Sequence, residues 1–158
     1  MKNREIEQAI FEEFLKVSQL KIENLIFIDH PDITFQLGDK KIGLELSEIL
    51  DKQDEEEIKI IKSGQQAPGY SFGPEHTVNK IRESLKKKVN KDYSLPNHEI
   101  WLLLYTNHVP MDHMGKIFGE MPQIERVVAE FLTIKKDIDR VIIFEMLSKE
   151  IPLEMTRC

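Results

Sequence analysis

The sequence has almost no cysteine: there is one in 158 residues, and it is the last, Cys158. A single cysteine excludes a disulfide framework, and it cannot supply the set of thiolates that a cysteine zinc site needs. The sequence also has no apolar run close to the roughly 18 to 20 residues that cross a bilayer. Its polar first residues contain no signal-peptide core. We therefore expect a cytoplasmic protein with no membrane partner.

The sequence lacks a positive net charge as well. Its 22 lysine and arginine residues stand against 28 aspartate and glutamate residues, which gives a net charge of −6. This balance excludes an overall cationic grip on nucleic acid, but it leaves room for a local basic patch. The proportions of apolar residues, 41%, and charged residues, 32%, are typical of a folded globular chain. The length suits one core, so we predict a single domain over 1–158.

Apolar periodicity predicts the secondary structure. Recurrence every three or four residues predicts helices over 4–20, 75–93 and 122–136. Short apolar or alternating runs predict strands over 24–29, 32–37, 41–50, 99–105 and 140–147. The resulting order is αβββαβαβ, with a hairpin next to strands that are separated by helices. This order predicts an α/β (α+β) fold, in which a mixed central sheet has flanking helices.

Residues 51–75 differ in composition from the rest of the chain. They begin with the acidic run DKQDEEE and continue into a stretch rich in glycine, serine, proline and glutamine. A loop of this length is uncommon in a compact domain and is often functional or mobile. The stretch has no Gly-Lys-Ser/Thr ending, so it is not a phosphate loop. We expect a long, mobile loop here.

Two acidic residues of the predicted hairpin are placed to meet. Asp32 begins the first strand, directly after Pro31, and Glu45 lies on the second strand, beyond a turn at 38–40. Alternation places each carboxylate on the face opposite the apolar residues of its own strand. Two neighbouring carboxylates repel each other unless a cation lies between them, and Mg²⁺ accepts one or two carboxylates plus water. The hairpin therefore predicts a metal site with oxygen ligands.

Pro31-Asp32, followed by Glu45 in an apolar strand and by the order helix, three strands, helix, strand, resembles the PD-(D/E)XK superfamily. The resemblance covers about residues 4–105 and implies the restriction-endonuclease-like fold. It also implies that Asp32 and Glu45 bind Mg²⁺ or Mn²⁺ in a nuclease that hydrolyses phosphodiester bonds. In that superfamily a lysine two residues after the glutamate positions or deprotonates the attacking water, but this chain has Ser47 there.

The serine at that position directs attention to the basic helix 75–93. Some members of the superfamily carry the lysine on the following helix, and this helix offers Lys80, Lys87, Lys88 and Lys91. Lys88 flanks the apolar stripe of the helix and can point at the sheet, so it is our candidate for the catalytic lysine. The same helix can follow a nucleic-acid backbone, and the resemblance is compatible with a homodimer that cuts two strands.

The resemblance also implies a glutamate from the first helix. Glu7 and Glu13 are the candidates. We place Glu13 on the inner side of the helix, with Ile6 and Ile10, and take it as a third metal ligand beside the two hairpin carboxylates.

Other interpretations of the same residues stay open. A catalytically degenerate member of the fold would account for Ser47, and an acidic interaction protein of the immunity type would use DKQDEEE to mimic nucleic-acid charge. Asp32 can simply end a turn, Glu45 can face solvent, and the helix lysines can form a solvated surface. A zinc site is disfavoured, because His108 and His113 match neither a helical nor a zinc-finger spacing.

Overall fold

The computed structural model describes residues 4–29, 31–49, 63–64, 76–106, 121–146 and 148–157. Along the chain the elements are α1 (Arg4–Ser18), β1 (Glu23–Phe27), β2 (Ile33–Leu37), β3 (Lys40–Glu48), α2 (His76–Lys86), β4 (Glu99–Thr106), α3 (Met121–Ile134), β5 (Arg140–Glu145) and β6 (Glu150–Thr156). The predicted loop 51–75 lies outside the described residues, except for 63–64. No helix in the described ranges has the length and apolar character that a bilayer crossing requires.

The strands form a mixed sheet in the order β1-β2-β3-β4-β5-β6. Strands β3, β4 and β5 are parallel, and the outer strands β1, β2 and β6 pair antiparallel with their neighbours. The predicted fold class, a mixed central sheet with flanking helices, is confirmed. The last strand was not predicted, because the tail contains Pro152. An edge strand tolerates proline, since one of its sides needs no hydrogen-bond donor.

The two faces of the sheet are covered by different helices. On the α1 face, α1 packs on an aromatic core that includes Phe11, Phe14, Phe35, Trp101 and Phe144. On the α2/α3 face, both other helices pack on a mainly aliphatic core that includes Ile81, Leu85, Leu102, Val128 and Val141. Side chains alternate along a strand, so the central strands are buried on both faces.

Helix α1 buries Ile10, as its periodicity predicted, but it is rotated so that Ile6 is partly exposed. Its buried residues are Glu7, Ile10, Phe11 and Phe14, whereas Ile6 is 36% exposed. A phenylalanine buries more apolar surface than an isoleucine, so the side that carries two phenylalanines turns toward the sheet. The acidic residues of α1 are therefore rotated relative to the prediction.

Helix α2 ends earlier than predicted. It stops at Lys86, and the chain continues in tighter turns, where the Lys88 amide bonds to the Leu85 carbonyl at 3.0 Å and the Val89 amide bonds to the Lys86 carbonyl at 3.4 Å. Hydrogen bonds of this i to i+3 kind commonly tighten the end of a helix. Lys88 consequently lies on the turn after α2, so its direction depends on the packing of that turn.

Candidate active site

Asp32 continues the register of the hairpin beyond the last residue of β2. Ile33 pairs with Leu44, so one further step places Asp32 opposite Glu45. The Asp32 carboxylate oxygen Oδ2 accepts a hydrogen bond from the backbone amide of Leu46 at 2.8 Å. A buried amide needs an acceptor, and this side chain supplies one where the paired strand ends. The two hairpin carboxylates therefore lie at the same end of the β2–β3 ladder.

Pro31 and Gly43 set the approach of this segment to the sheet. A Cβ atom on Gly43 would lie 2.8 Å from Cγ of Pro31 and 2.9 Å from Cδ1 of Ile100. Both distances are too short for real carbon contacts, so only glycine lets the proline ring and the isoleucine meet over β3. Because Asp32 follows Pro31 directly, this packing also restricts the backbone position of Asp32.

Glu45 and Lys88 form a buried ion pair. Glu45 is fully buried on the α2/α3 face of β3, and Lys88 is 4% exposed. The Lys88 Nζ atom lies 2.9 Å from Oε2 of Glu45. Burial of a single carboxylate would be very costly, and the ammonium group offsets part of that cost. The structure thus places Glu45 away from solvent and brings it together with the lysine selected from the sequence.

The other lysines of the basic segment are distributed differently. Lys86, Lys87 and Lys91 are exposed, as expected for a solvated surface. Lys80 is fully buried on α2, where it accompanies the buried polar residues Thr77 and Ser84. No pattern in the sequence marks Lys80 as buried, because lysine seldom is unless it is paired.

Tyr93 is a member of the site that the sequence analysis missed. It is fully buried on the α2/α3 face. Burial raises the pKa of its hydroxyl well above the usual range, and the negative charges of Glu45, Asp32 and Asp137 raise it further. The tyrosine therefore stays neutral, with both hairpin carboxylates close enough to act on it. No motif marks this residue in the sequence, since it lies in a polar stretch after the helix.

The structure places Glu13 outside this cluster. Its carboxylate lies 3.4 Å from Nζ of Lys16 and 3.6 Å from Nζ of Lys149. The prediction that Glu13 faces inward is therefore corrected, and the rotation of α1 is the reason. The buried glutamate of this helix is Glu7.

Glu7 belongs to the surroundings of a second tyrosine. Burial raises the pKa of Tyr105 above its usual range, and the charges of Glu48, Glu7 and Asp32 raise it further. Of the hairpin carboxylates, Asp32 thus influences both tyrosines.

The carboxylates at the end of the hairpin suit a small divalent cation. In the ranges that the structure describes, no three histidine, cysteine, aspartate or glutamate side chains gather around one point. Among the described residues, Asp32 and Glu45 are the candidate donors, and Mg²⁺ commonly uses only one or two carboxylates, completing its shell with water and phosphate. The donor set is all oxygen, which fits Mg²⁺ or Mn²⁺. His108 and His113 lie outside the described residues.

Comparisons with known proteins do not identify a function for this chain. No family model and no curated protein matches the chain. Among solved structures, it is similar to an XisH family protein from Nostoc punctiforme PCC 73102, at 13% identity and a TM-score of 0.38, over 92% of this chain and 94% of that one. It is also similar to an fdxN element excision controlling factor protein from Anabaena variabilis, at 13% identity and a TM-score of 0.40, over 94% and 97% of the two chains.

Proposed function

We propose that this protein is a Mg²⁺- or Mn²⁺-dependent nuclease of the restriction-endonuclease-like type. Asp32 and Glu45 hold the metal, and Lys88 acts on the attacking water or on the phosphate. One observation carries the proposal: an acid and a lysine that are 43 residues apart in the chain meet at 2.9 Å, beside a second carboxylate. Charged groups are seldom buried together without a reason, and such clusters are frequent at active sites.

The roles follow from the chemistry of each group. A bound divalent cation lowers the pKa of its water and neutralises charge on the phosphate. Asp32, directly before β2, and Glu45, on β3, would supply hard oxygen ligands from one hairpin, which holds their spacing. The Lys88 ammonium group lies among buried groups, where its charge acts more strongly than it would in water. It stabilises the negative charge that develops during phosphodiester cleavage.

The substrate in this proposal is nucleic acid. Exposed cations lie on α2 and on the turn that follows it, at Arg82, Lys86, Lys87 and Lys91. A basic segment of this kind contacts phosphates without reading sequence, which suits a chain whose net charge is negative. The proposal extends to a homodimer, which would present two such sites to two strands.

A catalytically degenerate protein of the same fold is the second candidate. It is favoured by the hydrogen bond from the Leu46 amide to Asp32 and by the ion pair of Glu45 with Lys88. These contacts give both carboxylates a structural task that requires no metal. The two candidates differ in the partner of Glu45. In a nuclease the Glu45 carboxylate must also bind a metal cation, whereas in a degenerate protein it stays paired with Lys88.

The test is cleavage of supercoiled plasmid DNA, single-stranded DNA and single-stranded RNA with Mg²⁺, Mn²⁺ or EDTA. We expect cleavage with a divalent cation and none with EDTA. Glu45→Gln should abolish cleavage while the circular dichroism spectrum stays unchanged. Lys88→Met should lower turnover about a hundredfold or more, the usual scale for loss of a proton-transfer group, whereas the exposed control Lys87→Met should retain most activity.

Two results would decide against the nuclease. Undiminished cleavage by Glu45→Gln would remove that carboxylate from the mechanism, and equal losses in the two lysine variants would mean that Lys88 is the wrong lysine. Failure of the wild-type protein to cut any of the three substrates, together with no rise in melting temperature on addition of Mn²⁺, would favour the degenerate protein.

A further inference from the structure

Two ammonium groups lie close to the ring of Tyr93. The Nζ atom of Lys88 is 5.8 Å from the centre of its ring, and the Nζ atom of Lys135 is 5.5 Å from the same centre. Both distances are within the range in which the electron-rich face of an aromatic ring attracts a cation. Because the ring is fully buried, water weakens this attraction little.

Tyr93 is itself held in place by the loop that follows α3. Its backbone amide donates to Oδ2 of Asp137 at 2.8 Å, and Oδ1 of the same carboxylate lies 2.8 Å from Nζ of Lys135. Lys135 also donates to the backbone carbonyl of Lys91. We call Lys135 and Asp137 the bracket. The bracket holds the backbone at Tyr93, and the burial of the ring restricts its side chain.

We propose that Tyr93 is a positioning residue that keeps the Lys88 ammonium group at the Glu45 carboxylate, a role that rests on the function proposed above. Lysine has a long, flexible side chain, and Lys88 lies beyond the last residue of α2, so the helix does not orient it. Glu45 holds the ammonium group from one side and the ring attracts it as well. If a divalent cation were bound at Asp32 and Glu45, the ring would still attract the Lys88 ammonium group at this end of the hairpin.

The kinetic test separates the ring from the hydroxyl group. Tyr93→Phe keeps the aromatic face, whereas Tyr93→Leu removes it at similar bulk. We expect Tyr93→Leu to lower kcat about tenfold, which corresponds to a desolvated cation–ring contact, with little change in KM. Tyr93→Phe should stay within about twofold of the wild type. Equal losses in the two variants would overturn the proposal, because they would trace the effect to the hydroxyl group or to packing.

A second measurement needs no catalysis. In protein labelled with ¹³C and ¹⁵N lysine, the Lys88 side-chain signals are identified by their loss in Lys88→Met. The ring should displace them from ordinary lysine positions in the wild type and in Tyr93→Phe, and the displacement should disappear in Tyr93→Leu. Signals that stay displaced in Tyr93→Leu would overturn the proposal. If Tyr93→Leu does not fold, Asp137→Ala loosens the bracket and should reduce the displacement; an unchanged displacement in that variant would equally overturn it.

The two measurements also separate this proposal from the nuclease proposal. Displaced Lys88 signals that depend on the ring, in a protein that cuts no nucleic acid, would support the positioning contact and contradict the nuclease. Cleavage with Lys88 signals that are not displaced would support the nuclease and contradict the positioning contact.

Discussion

The two faces of the sheet are buried to a similar degree but by different means. On the α1 face the central contacts are aromatic: Phe14 meets Phe144 edge to face at 6.0 Å between ring centres, and Phe35 meets Trp101 in the same way at 5.9 Å. On the α2/α3 face an aliphatic core surrounds charged groups, among them Glu45 and Lys88.

The faces also differ in the charge that they bury. Aromatic packing dominates the α1 face, where the helix buries one carboxylate, Glu7, whereas the opposite face accepts the cost of the buried ion pair between Glu45 and Lys88. On the α2/α3 face, helix α2 ends earlier than predicted, so Lys88 lies on a turn and not on the helix. We expect the two faces to respond to mutation in opposite ways.

The largest effects should come from breaking the ion pair. Lys88→Met leaves the Glu45 charge buried without its ammonium partner, so we expect a loss of about 3–5 kcal/mol in the free energy of unfolding, as is usual for half of a buried pair. Removing both charges in Glu45→Leu/Lys88→Met should be less harmful than Lys88→Met alone. Urea unfolding of Lys88→Met, Glu45→Leu and the double variant measures the coupling energy between the two residues. Losses that simply add would mean that the two groups do not interact.

The matched control lies on the opposite face. Phe14→Ala and Phe144→Ala should each cost about 3–5 kcal/mol, because each leaves a cavity. Their double variant should be less stable than either single variant, since removing the second ring enlarges the cavity and relieves no buried charge. An aromatic double variant that is more stable than a single variant would contradict the expected difference between the two faces.

A smaller effect is expected from Gly43→Ala, which adds one methyl group on the charged face. The new Cβ would overlap Pro31 and Ile100, so we expect a loss of about 1–3 kcal/mol, the usual cost of overpacking. The displaced proline should also shift Asp32 and weaken its bond to the Leu46 amide, which would show as faster hydrogen exchange of that amide.

The control for the added methyl group is Gly38→Asn in the hairpin turn. Gly38 has a φ of +61° and open space around its Cα, and asparagine tolerates this conformation. We expect that variant to lose less stability than Gly43→Ala. The reverse order would show that the contact with Pro31 does not restrict β3.

The smallest effect concerns pH and involves one tyrosine from each face. Burial raises the pKa of both Tyr93 and Tyr105 above the value of about 10 in the unfolded chain, so the folded protein holds more protons above pH 10. The contribution of the neutral tyrosines to the free energy of unfolding is therefore fully present below pH 10. It is lost as the pH rises beyond 10, by at most about 1.4 kcal/mol per pH unit for each tyrosine.

Urea midpoints at pH 9 and pH 10.5 measure this loss, and absorbance at alkaline pH follows the phenolates. Tyr105→Phe should show a smaller loss above pH 10 than the wild type. If both tyrosines ionise near pH 10 in the folded protein, the burial argument for them is wrong.

The fold was largely accessible from the sequence, because alternation and helical periodicity record which side of each element is apolar. The same alternation placed Asp32 and Glu45 off the apolar faces of their strands, and the register of β2 with β3 then brings them opposite each other. The inner side of α1 was predicted in part: Ile10 is buried as expected, but Phe11 is buried and Ile6 is not. β6 was missed because a proline is acceptable only at a sheet edge, which sequence does not reveal.

The sequence by itself determined the layered fold and the meeting of two carboxylates, since both depend on local periodicity and on a short hairpin. The helical pattern also selected Lys88, but only the tertiary structure decided that Lys88 pairs with Glu45, which glutamate of α1 turns inward, and that Tyr93 lies near the lysine. Those outcomes depend on where α2 ends and on how helices and loops pack across the sheet. The ion pair of Glu45 with Lys88 and the bond from Tyr93 to Asp137 each join residues more than forty positions apart, and no local pattern encodes them.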